Sequence, residues 1–100
     1  MSESTLTGKQ KRYLRSLGST LDPVVQIGKA GMIEAVAASA RDALAARELI
    51  KVRVLQNSPE EPQSALMALA DCVQAELVQV IGRNGLLYKR NPEKKKIELP

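Results

Sequence analysis

The chain of 100 residues contains no histidine, no phenylalanine and no tryptophan, and it has one cysteine, Cys72. Without histidine, the catalytic triads, general bases and metal sites that depend on imidazole are excluded. A single cysteine forms no intramolecular disulfide, and Cys72 is expected to be a partly buried structural thiol because no imidazole can activate it. The composition therefore argues against an enzyme, and it indicates neither a catalytic residue nor a cofactor.

Aromatic residues are also scarce, since Tyr13 and Tyr88 make up the whole aromatic share of 2%. The predicted core is therefore built from aliphatic side chains. RNA-recognition motifs and OB-folds stack bases on exposed aromatic rings. This chain has too few rings for that mode of binding.

Long apolar runs are absent as well. Residues 1–13 lack the apolar stretch of a signal peptide, and no segment approaches the ~20 apolar residues of a membrane helix. We therefore expect a soluble protein of the cytoplasm, a reducing compartment, with no membrane partner. Apolar residues at 44% and charged residues at 26% suffice for one core and its surface. We expect residues 1–6 to be disordered and residues 7–99 to form a single compact domain.

The positive charge is concentrated at the two ends of the chain. The net charge of +4 divides into +3 for residues 1–30, −3 for residues 31–80 and +4 for residues 81–100. If the fold brings the two ends together, they form one positive face for a polyanion. The alternative is that solvated lysines only keep a small protein soluble.

Hydrophobic periodicity predicts an α/β domain with the element order α-β-α-β-α-β-β. The predicted helices cover residues 7–17 and 33–47 and a third segment that begins at Ser58, where Pro59 and Glu61 complete a helix-start signal. The predicted strands cover residues 23–27, 49–55, 77–81 and 86–89. Alternating strands and helices favour a mixed four-stranded sheet packed with three helices. Asn84-Gly85 predicts the hairpin turn, and residues 94–99 are compatible with a further edge strand.

The strongest local motif is a glycine loop, Gly28-Lys29-Ala30-Gly31, between a predicted strand and a predicted helix. Glycines let the backbone approach a partner closely and adopt positive φ, and a helix N-terminus presents free N–H groups and the positive end of its dipole. With Lys29 as a cation, this arrangement is typical of a clamp for a phosphate backbone. Taken alone, a GxxG pattern fits an ordinary strand-to-helix turn at least as well.

Cationic side chains add to this interpretation. Lys11, Arg12 and Arg15 lie opposite the apolar arc of the first predicted helix, and Lys51 and Arg53 form a basic outer face on the second predicted strand. Arg83 in the predicted hairpin is a further candidate for a phosphate contact. The lysines at 94–96 are either a phosphate-binding arm or a guard against edge-to-edge aggregation. The helix cations also fit a solvated face.

Several segments, in order, resemble the CRM domain family (chloroplast RNA splicing and ribosome maturation), specifically its stand-alone bacterial YhbY-type RNA-binding proteins. They are residues 9–15 (KQKRYLR), 23–31 (PVVQIGKAG), 48–52 (ELIKV), 78–83 (VQVIGR) and 87–90 (LYKR). Each segment is short, but the ordered set is specific, and the resemblance covers about residues 7–99. One position departs from it, because the family often ends its third helix with a glycine where this chain has Gln74.

The resemblance implies an α/β fold similar to the C-terminal domain of a bacterial translation initiation factor. It also implies RNA binding through the GxxG loop and an adjoining basic surface, with large-subunit ribosomal RNA in a pre-ribosomal particle as the partner and ribosome assembly as the role. By position, the RNA-binding residues are Gly28, Lys29, Ala30, Gly31, Lys11, Arg12, Arg15, Arg83, Lys89 and Arg90. Two alternatives stay open: a protein–protein adaptor that docks on a ribosomal protein or assembly factor, and a binder of duplex DNA.

Overall fold

The structure, a computed structural model, describes residues 6–91 and 97–100, and within these ranges it contains three helices and four strands. They are α1 (Gly8–Gly18), β1 (Pro23–Ile27), α2 (Glu34–Arg47), β2 (Leu49–Val54), α3 (Pro62–Val73), β3 (Glu76–Ile81) and β4 (Asn84–Tyr88). The predicted element order and the α/β domain with a mixed four-stranded sheet are confirmed. Residues 1–5, part of the segment expected to be disordered, lie outside the described residues.

The strand order in the sheet is β1-β2-β4-β3. β1 and β2 are parallel, because α2 carries the chain back to the starting edge of the sheet between them. β4 pairs antiparallel with β2 on one side and with β3 on the other. A tight hairpin joins β3 to β4, and such a connection requires antiparallel partners.

The main hydrophobic core lies between the sheet and the helices α2 and α3. On β2, Ile50, Val52 and Val54 point to this side and are at most 1% exposed. They meet buried alanines and leucines of α2 and α3, among them Leu44 and Leu66. The predicted alternation of β2 is therefore confirmed, with Ile50, Val52 and Val54 in the core and Lys51 and Arg53 on the other face.

α1 packs on the opposite face of the sheet, over a second, smaller core. Leu14 of α1 is fully buried there among side chains of β2, β3 and β4, which are Leu49, Val78, Leu86 and Tyr88. Leu6, Leu17 and Leu21 pack on this cluster together with Ile97 and Leu99 from the end of the chain. The fold thus brings both ends of the described chain onto this face. Lysines 94–96 lie outside the described residues, so a single positive face formed by the two ends stays a prediction.

A buried carboxylate fixes the returning C-terminal segment. Glu48 is fully buried between α2 and β2, and its Oε2 and Oε1 accept hydrogen bonds from the backbone N–H groups of Asn91 (2.6 Å) and Ile97 (2.8 Å). Charge-assisted bonds of this kind are stronger than those between neutral groups. The Glu48 carboxylate therefore places residues 97–100 against α1, where Gln10 Nε2 donates to the Pro100 carbonyl at 3.2 Å.

Three local predictions are wrong. α3 begins at Pro62 with Glu61 as its N-cap, a turn later than predicted, and Ser58 Oγ accepts only from the nearby Glu60 N–H. Cys72 is exposed on α3 rather than partly buried. Ile33, the first residue of the second predicted helix, is instead the N-cap of α2 and is 44% exposed.

The hairpin turn also differs from the prediction. Gly82 and Arg83 form it, with φ of 57° at Gly82, whereas Asn84 and Gly85 already belong to β4. A glycine is required at position 85 of β4 because a Cβ there would lie 2.6 Å from Leu66 Cδ1. For the predicted edge strand at 94–99, residues 94–96 lie outside the described residues, and residues 97–99 form no strand.

The topology places three connections at the end of the sheet where β1 and β2 finish, and we call this end of the sheet the loop edge. Because β1 and β2 are parallel, the residues that follow Ile27 and Val54 leave the sheet together. β4 is antiparallel to β2 and starts at this edge, with Asn84 opposite Arg53. The glycine loop, the β2–α3 connection and the Gly82–Arg83 turn therefore lie at the same end of the sheet.

The end of α3 yields a stability prediction. Gln74 ends this helix with φ of 58° and ψ of 44°, a left-handed conformation in which a residue with a Cβ is strained. Gln74→Gly should raise the free energy of unfolding by about 1 kcal/mol, measured by urea denaturation. Gln74→Ala keeps the strain and should give no such gain. If Gln74→Gly is no more stable than the wild type, Gln74 is not strained.

Candidate nucleic-acid interface

The glycine loop is a tight turn that leaves the sheet directly from β1. The Gly31 N–H donates to the Gly28 carbonyl at 2.9 Å and closes the turn, while the Leu55 N–H donates to the Ile27 carbonyl at 2.8 Å and ties the end of β1 to the chain beyond β2. Gly28 is half-buried and Gly31 is buried. Lys29 and Ala30 are exposed at the tip, so these are the two side chains that the loop presents to solvent.

Gly31 is required by its conformation and by its surroundings. Its φ is 75°, and a Cβ at this position would lie 2.6 Å from Glu60 Oε1 and 3.2 Å from Pro59 Cγ. The same Glu60 oxygen accepts a hydrogen bond from the Met32 N–H at 3.1 Å. Glu60, which sequence reasoning assigned to the first turn of a helix, instead holds the second half of the loop. No pattern in the local sequence predicts this hydrogen bond between Glu60 and Met32.

The helix behind the loop is less close than predicted. α2 begins at Glu34, and Met32 and Ile33 separate it from Gly31. Its N-cap makes no side-chain hydrogen bond, and among the first N–H groups of the helix that of Val36 donates to the Ile33 carbonyl at 3.0 Å. Glu34 is acidic, and it pairs with Arg41 at 2.8 Å. That hydrogen bond raises the pKa of Arg41.

Arg83 connects the hairpin turn with the surroundings of the glycine loop. Its carbonyl accepts from the Val54 N–H at 2.7 Å, and its Nη1 donates to the Leu55 carbonyl at 3.3 Å. The Leu55 side chain in turn borders Gly28, since a Cβ there would lie 3.5 Å from Leu55 Cδ1. Arg83, predicted to contact phosphate, therefore lies beside the loop edge, joined to it through Leu55.

On the α1 face, the sheet carries a groove of about 320 Å³ at the C-terminal end of α1, which we call the α1 groove. Its lining residues are Arg15, Gly18, Ser19, Lys51, Gln79, Ile81, Asn84, Gly85 and Leu86. Among the candidate cations of the first helix, Arg15 lines this groove. Sequence reasoning noted Lys51 from the alternation of β2 but did not propose it as a binding residue. It missed Gln79 and Asn84, because polar residues in a strand carry no signal of a groove.

The remaining candidate cations lie farther from the loop edge. Lys11 and Arg12 precede Arg15 by about one helical turn and so lie farther from the C-terminal end of α1, which borders the groove. Lys89 and Arg90 follow β4 at the opposite end of the sheet, where Tyr88 pairs with Leu49. The Lys89 Nζ donates to the Val73 carbonyl at 2.9 Å, so its charge meets the C-terminal end of α3. The ten candidates therefore do not form one patch.

Tyr88 belongs to the same opposite edge as Lys89. It is 4% exposed, and its hydroxyl makes no hydrogen bond within the described part of the chain. Burial raises the pKa of Tyr88, the nearby Glu48 carboxylate raises it further, and Arg90 partly offsets both effects. Tyr88 packs in the smaller core with Leu14, so it is a core residue.

Two further features bear on the kind of site. Across residues 6–91 and 97–100, no three Cys, Asp or Glu side chains come close enough together to hold a metal ion. The described helices include none with the length and apolar character needed to cross a bilayer. The candidate site consists of the exposed Lys29 and Ala30 at the loop edge and the α1 groove with Arg15 and Lys51.

Comparison with known proteins assigns the chain to a family. The model of the CRS1/YhbY (CRM) domain matches residues 6–89. The chain belongs to the CRM domain family. This confirms the resemblance seen in the ordered segments of the sequence, and it covers all seven helices and strands.

Individual CRM relatives agree over nearly their whole lengths. The chain is 48% identical to the probable RNA-binding protein YqeI of Bacillus subtilis, over 95% of this chain and 99% of YqeI. It is 41% identical to an RNA-binding protein of Haemophilus influenzae, over 97% of each chain. The solution structure of a Staphylococcus aureus protein, described as a candidate RNA-binding protein, superposes with a TM-score of 0.80 at 49% identity, covering 96% of this chain and 100% of that one.

The crowding around Gly31 yields a prediction for the CRM loop. Gly31→Ala should lower the free energy of unfolding by about 1–3 kcal/mol, because the new Cβ meets Glu60 and the positive φ is strained. Gly8→Ala is the matched control, since a Cβ there has nothing within 4 Å, and its stability should be unchanged or slightly higher. Thermal denaturation of both variants measures the difference. Equal stability of the two would show that Gly31 is not constrained.

Proposed function

We propose that the protein binds RNA through the loop edge and the cations next to it. The observation that carries this proposal is the presentation of Lys29 and Ala30 at the tip of a loop whose base is fixed by Gly31 and Glu60. A rigid backbone turn with an exposed cation suits the close approach of a phosphate group. Membership of the CRM family and the RNA-binding relatives support the same partner.

The contact we propose runs from the loop tip to the α1 face. Lys29 makes the first phosphate contact, and Arg83 beside Leu55 lies within the same edge. Arg15 at the end of α1 extends the positive surface, followed by Lys11 and Arg12 one turn away. Lys89 and Arg90 join the contact only where an RNA is long enough to cross the α1 face to the opposite edge.

Such an interface is dominated by phosphate contacts. Binding therefore weakens steeply with salt, because each neutralised phosphate releases condensed counterions. Phosphate contacts fix the position of an RNA and carry little sequence information. We expect the glycine loop to bind structured RNAs of different sequence with similar affinity.

We further propose that the partner is large-subunit ribosomal RNA in a pre-ribosomal particle, and that the protein assists ribosome assembly without being an enzyme. The CRM family membership supports this role. We place it in the cytoplasm, in keeping with the single exposed thiol of Cys72. Crosslinking in cells followed by sequencing of the bound RNA tests the partner, and recovery of RNA that is not ribosomal would contradict the assembly role.

One observation favours the adaptor as a second candidate. β1 is an edge strand, and Val24 on it is 40% exposed beside a groove that includes Val36 of α2. An extended segment of another protein can add to an edge of this kind. Nuclease treatment of cell extracts separates the two functions, because an RNA binder leaves the large-subunit fractions and an adaptor stays in them.

The loop contact is tested by charge reversal. The double variant Lys29→Asp and Ala30→Asp places two carboxylates where we propose that a phosphate lies. Affinity for a structured RNA should fall by roughly tenfold or more, because a charge-assisted contact is lost and replaced by repulsion. Fluorescence anisotropy at fixed salt measures the affinity, and circular dichroism confirms that the fold survives.

A matched control separates local contact from total charge. Ala46 and Arg47 are an exposed alanine–cation pair at the end of α2, next to the opposite edge of the sheet. The double variant Ala46→Asp and Arg47→Asp changes the net charge by the same amount. It should retain most of the affinity. Equal losses in the two double variants would mean that the loop makes no specific contact.

A further inference from the structure

The α1 groove exists because α1 covers only part of its face of the sheet. Leu14 of α1 packs where Leu49 and Tyr88 lie, toward the edge opposite the glycine loop. The helix ends at Gly18, which contacts the Leu86 side chain closely. Beyond that point, toward the loop edge, no described helix covers the α1 face of β2, β4 and β3, and the groove occupies this uncovered area.

The charge of the α1 groove is positive. Arg15 and Lys51 line it, and Arg53, exposed on the same face of β2, lies opposite Asn84 in the sheet register. None of these three cations forms an ion pair with any residue that the structure describes. Unpaired cations around a concave surface attract a polyanion and favour its phosphate groups.

The floor of the groove differs from a plain phosphate-binding surface, because it also carries side-chain amides. Gln79 and Asn84 line it from β3 and β4. Asn84 Oδ1 is buried and accepts no hydrogen bond within the described part of the chain. Most buried polar atoms have a partner, so Asn84 brings an amide with unused hydrogen-bonding capacity to the lining of the groove.

The lining of the groove also includes apolar side chains next to these amides. Ile81 is 63% exposed at the end of β3, and Leu86 lies on the floor. Amides together with an exposed aliphatic side chain match a nucleobase, which has polar edges and an apolar face. In a continuous RNA helix the bases are stacked and paired and the major groove is too narrow for side chains, whereas unpaired nucleotides expose both their faces and their pairing edges.

We propose that the α1 groove takes an unpaired nucleotide of the bound RNA, with Gln79 and Asn84 facing its base and Arg15 and Lys51 facing its phosphates. This inference rests on the proposed RNA binding and deepens it, because it names the class of RNA. The glycine loop holds backbone of any structure. The groove gives the protein a preference for RNA in which a helix is interrupted by a bulge or loop.

The position of the groove fits a single bound RNA. Asn84 lies opposite Arg53, and Arg53 lies opposite Gln26, two residues before Gly28. Neighbouring strands are about 4.8 Å apart, so Asn84 and the strand that leads into the glycine loop are separated by about 10 Å across the sheet. If one segment of an RNA is bound at Lys29, the next segment of the same RNA therefore reaches the groove.

The test uses two RNA probes, a blunt RNA duplex and the same duplex interrupted by a run of unpaired nucleotides. The wild-type protein should bind the interrupted RNA about tenfold more tightly, the scale expected for contacts to one accessible base. The double variant Gln79→Ala and Asn84→Ala should bind both probes with the affinity that the wild type shows for the duplex. Because it removes no charge, its dependence of affinity on salt should match the wild type.

Three further proteins complete the experiment. Gln79→Ala alone changes one half-buried residue. It should reduce the preference for the interrupted RNA, and it serves as the test if the double variant is less stable. Gln63→Ala, an exposed amide on α3, is the control and should keep the full preference. The double variant Lys29→Asp and Ala30→Asp should weaken binding of both probes equally and keep their ratio.

The outcomes distinguish the groove from the loop. If the wild type binds the two probes with equal affinity, the proposal for the groove is overturned while RNA binding stands. The same holds if the ratio of the affinities for the two probes is unchanged in both amide variants. Equal loss on both probes in the amide variants likewise overturns it, since the groove would then contribute only general affinity. A wild-type protein that binds neither probe contradicts the proposed function itself.

Discussion

The parallel pairing of β1 with β2 is the constraint on which the site depends. Ile27 lies opposite Val54, and the bond from the Leu55 N–H to the Ile27 carbonyl extends this pairing past the strand ends. The glycine loop and the β2–α3 connection must therefore emerge together, so Glu60 comes within reach of Met32 although the two residues are distant in sequence. The hydrogen bond from the Met32 N–H to Glu60 thus joins the two connections at the loop edge.

The second determinant of the site is the asymmetry of the two faces. α2 and α3 cover one face with the main core, and α1 with the chain end covers only part of the other. The buried Glu48 carboxylate holds that chain end in place. The two ends of the described chain thus pack on a face that keeps an open groove beside the loop edge, and cations and amides line that groove.

Sequence periodicity predicted the elements well because burial is regular along each one, as in Ile50, Val52 and Val54 of β2. It failed where a distant contact decides the local structure. Asn84-Gly85 has the composition of a turn, yet Gly85 pairs with Val52 and Val80 in the sheet and lies close to the Leu66 side chain. Of the candidate site, the loop itself was predictable from its glycines, whereas the role of Glu60 and the place of Asn84 depend on tertiary packing alone.

In our proposal RNA contacts the loop edge and the α1 groove rather than the helical face of α2 and α3. The decisive measurement is a titration of ¹⁵N-labelled protein with an interrupted RNA duplex, followed by two-dimensional NMR of the backbone amides. We expect the largest chemical-shift changes at Lys29, Ala30, Arg83 and the groove residues of β3 and β4. Changes concentrated on the outer faces of α2 and α3, with Lys29 and Ala30 unmoved, would contradict it.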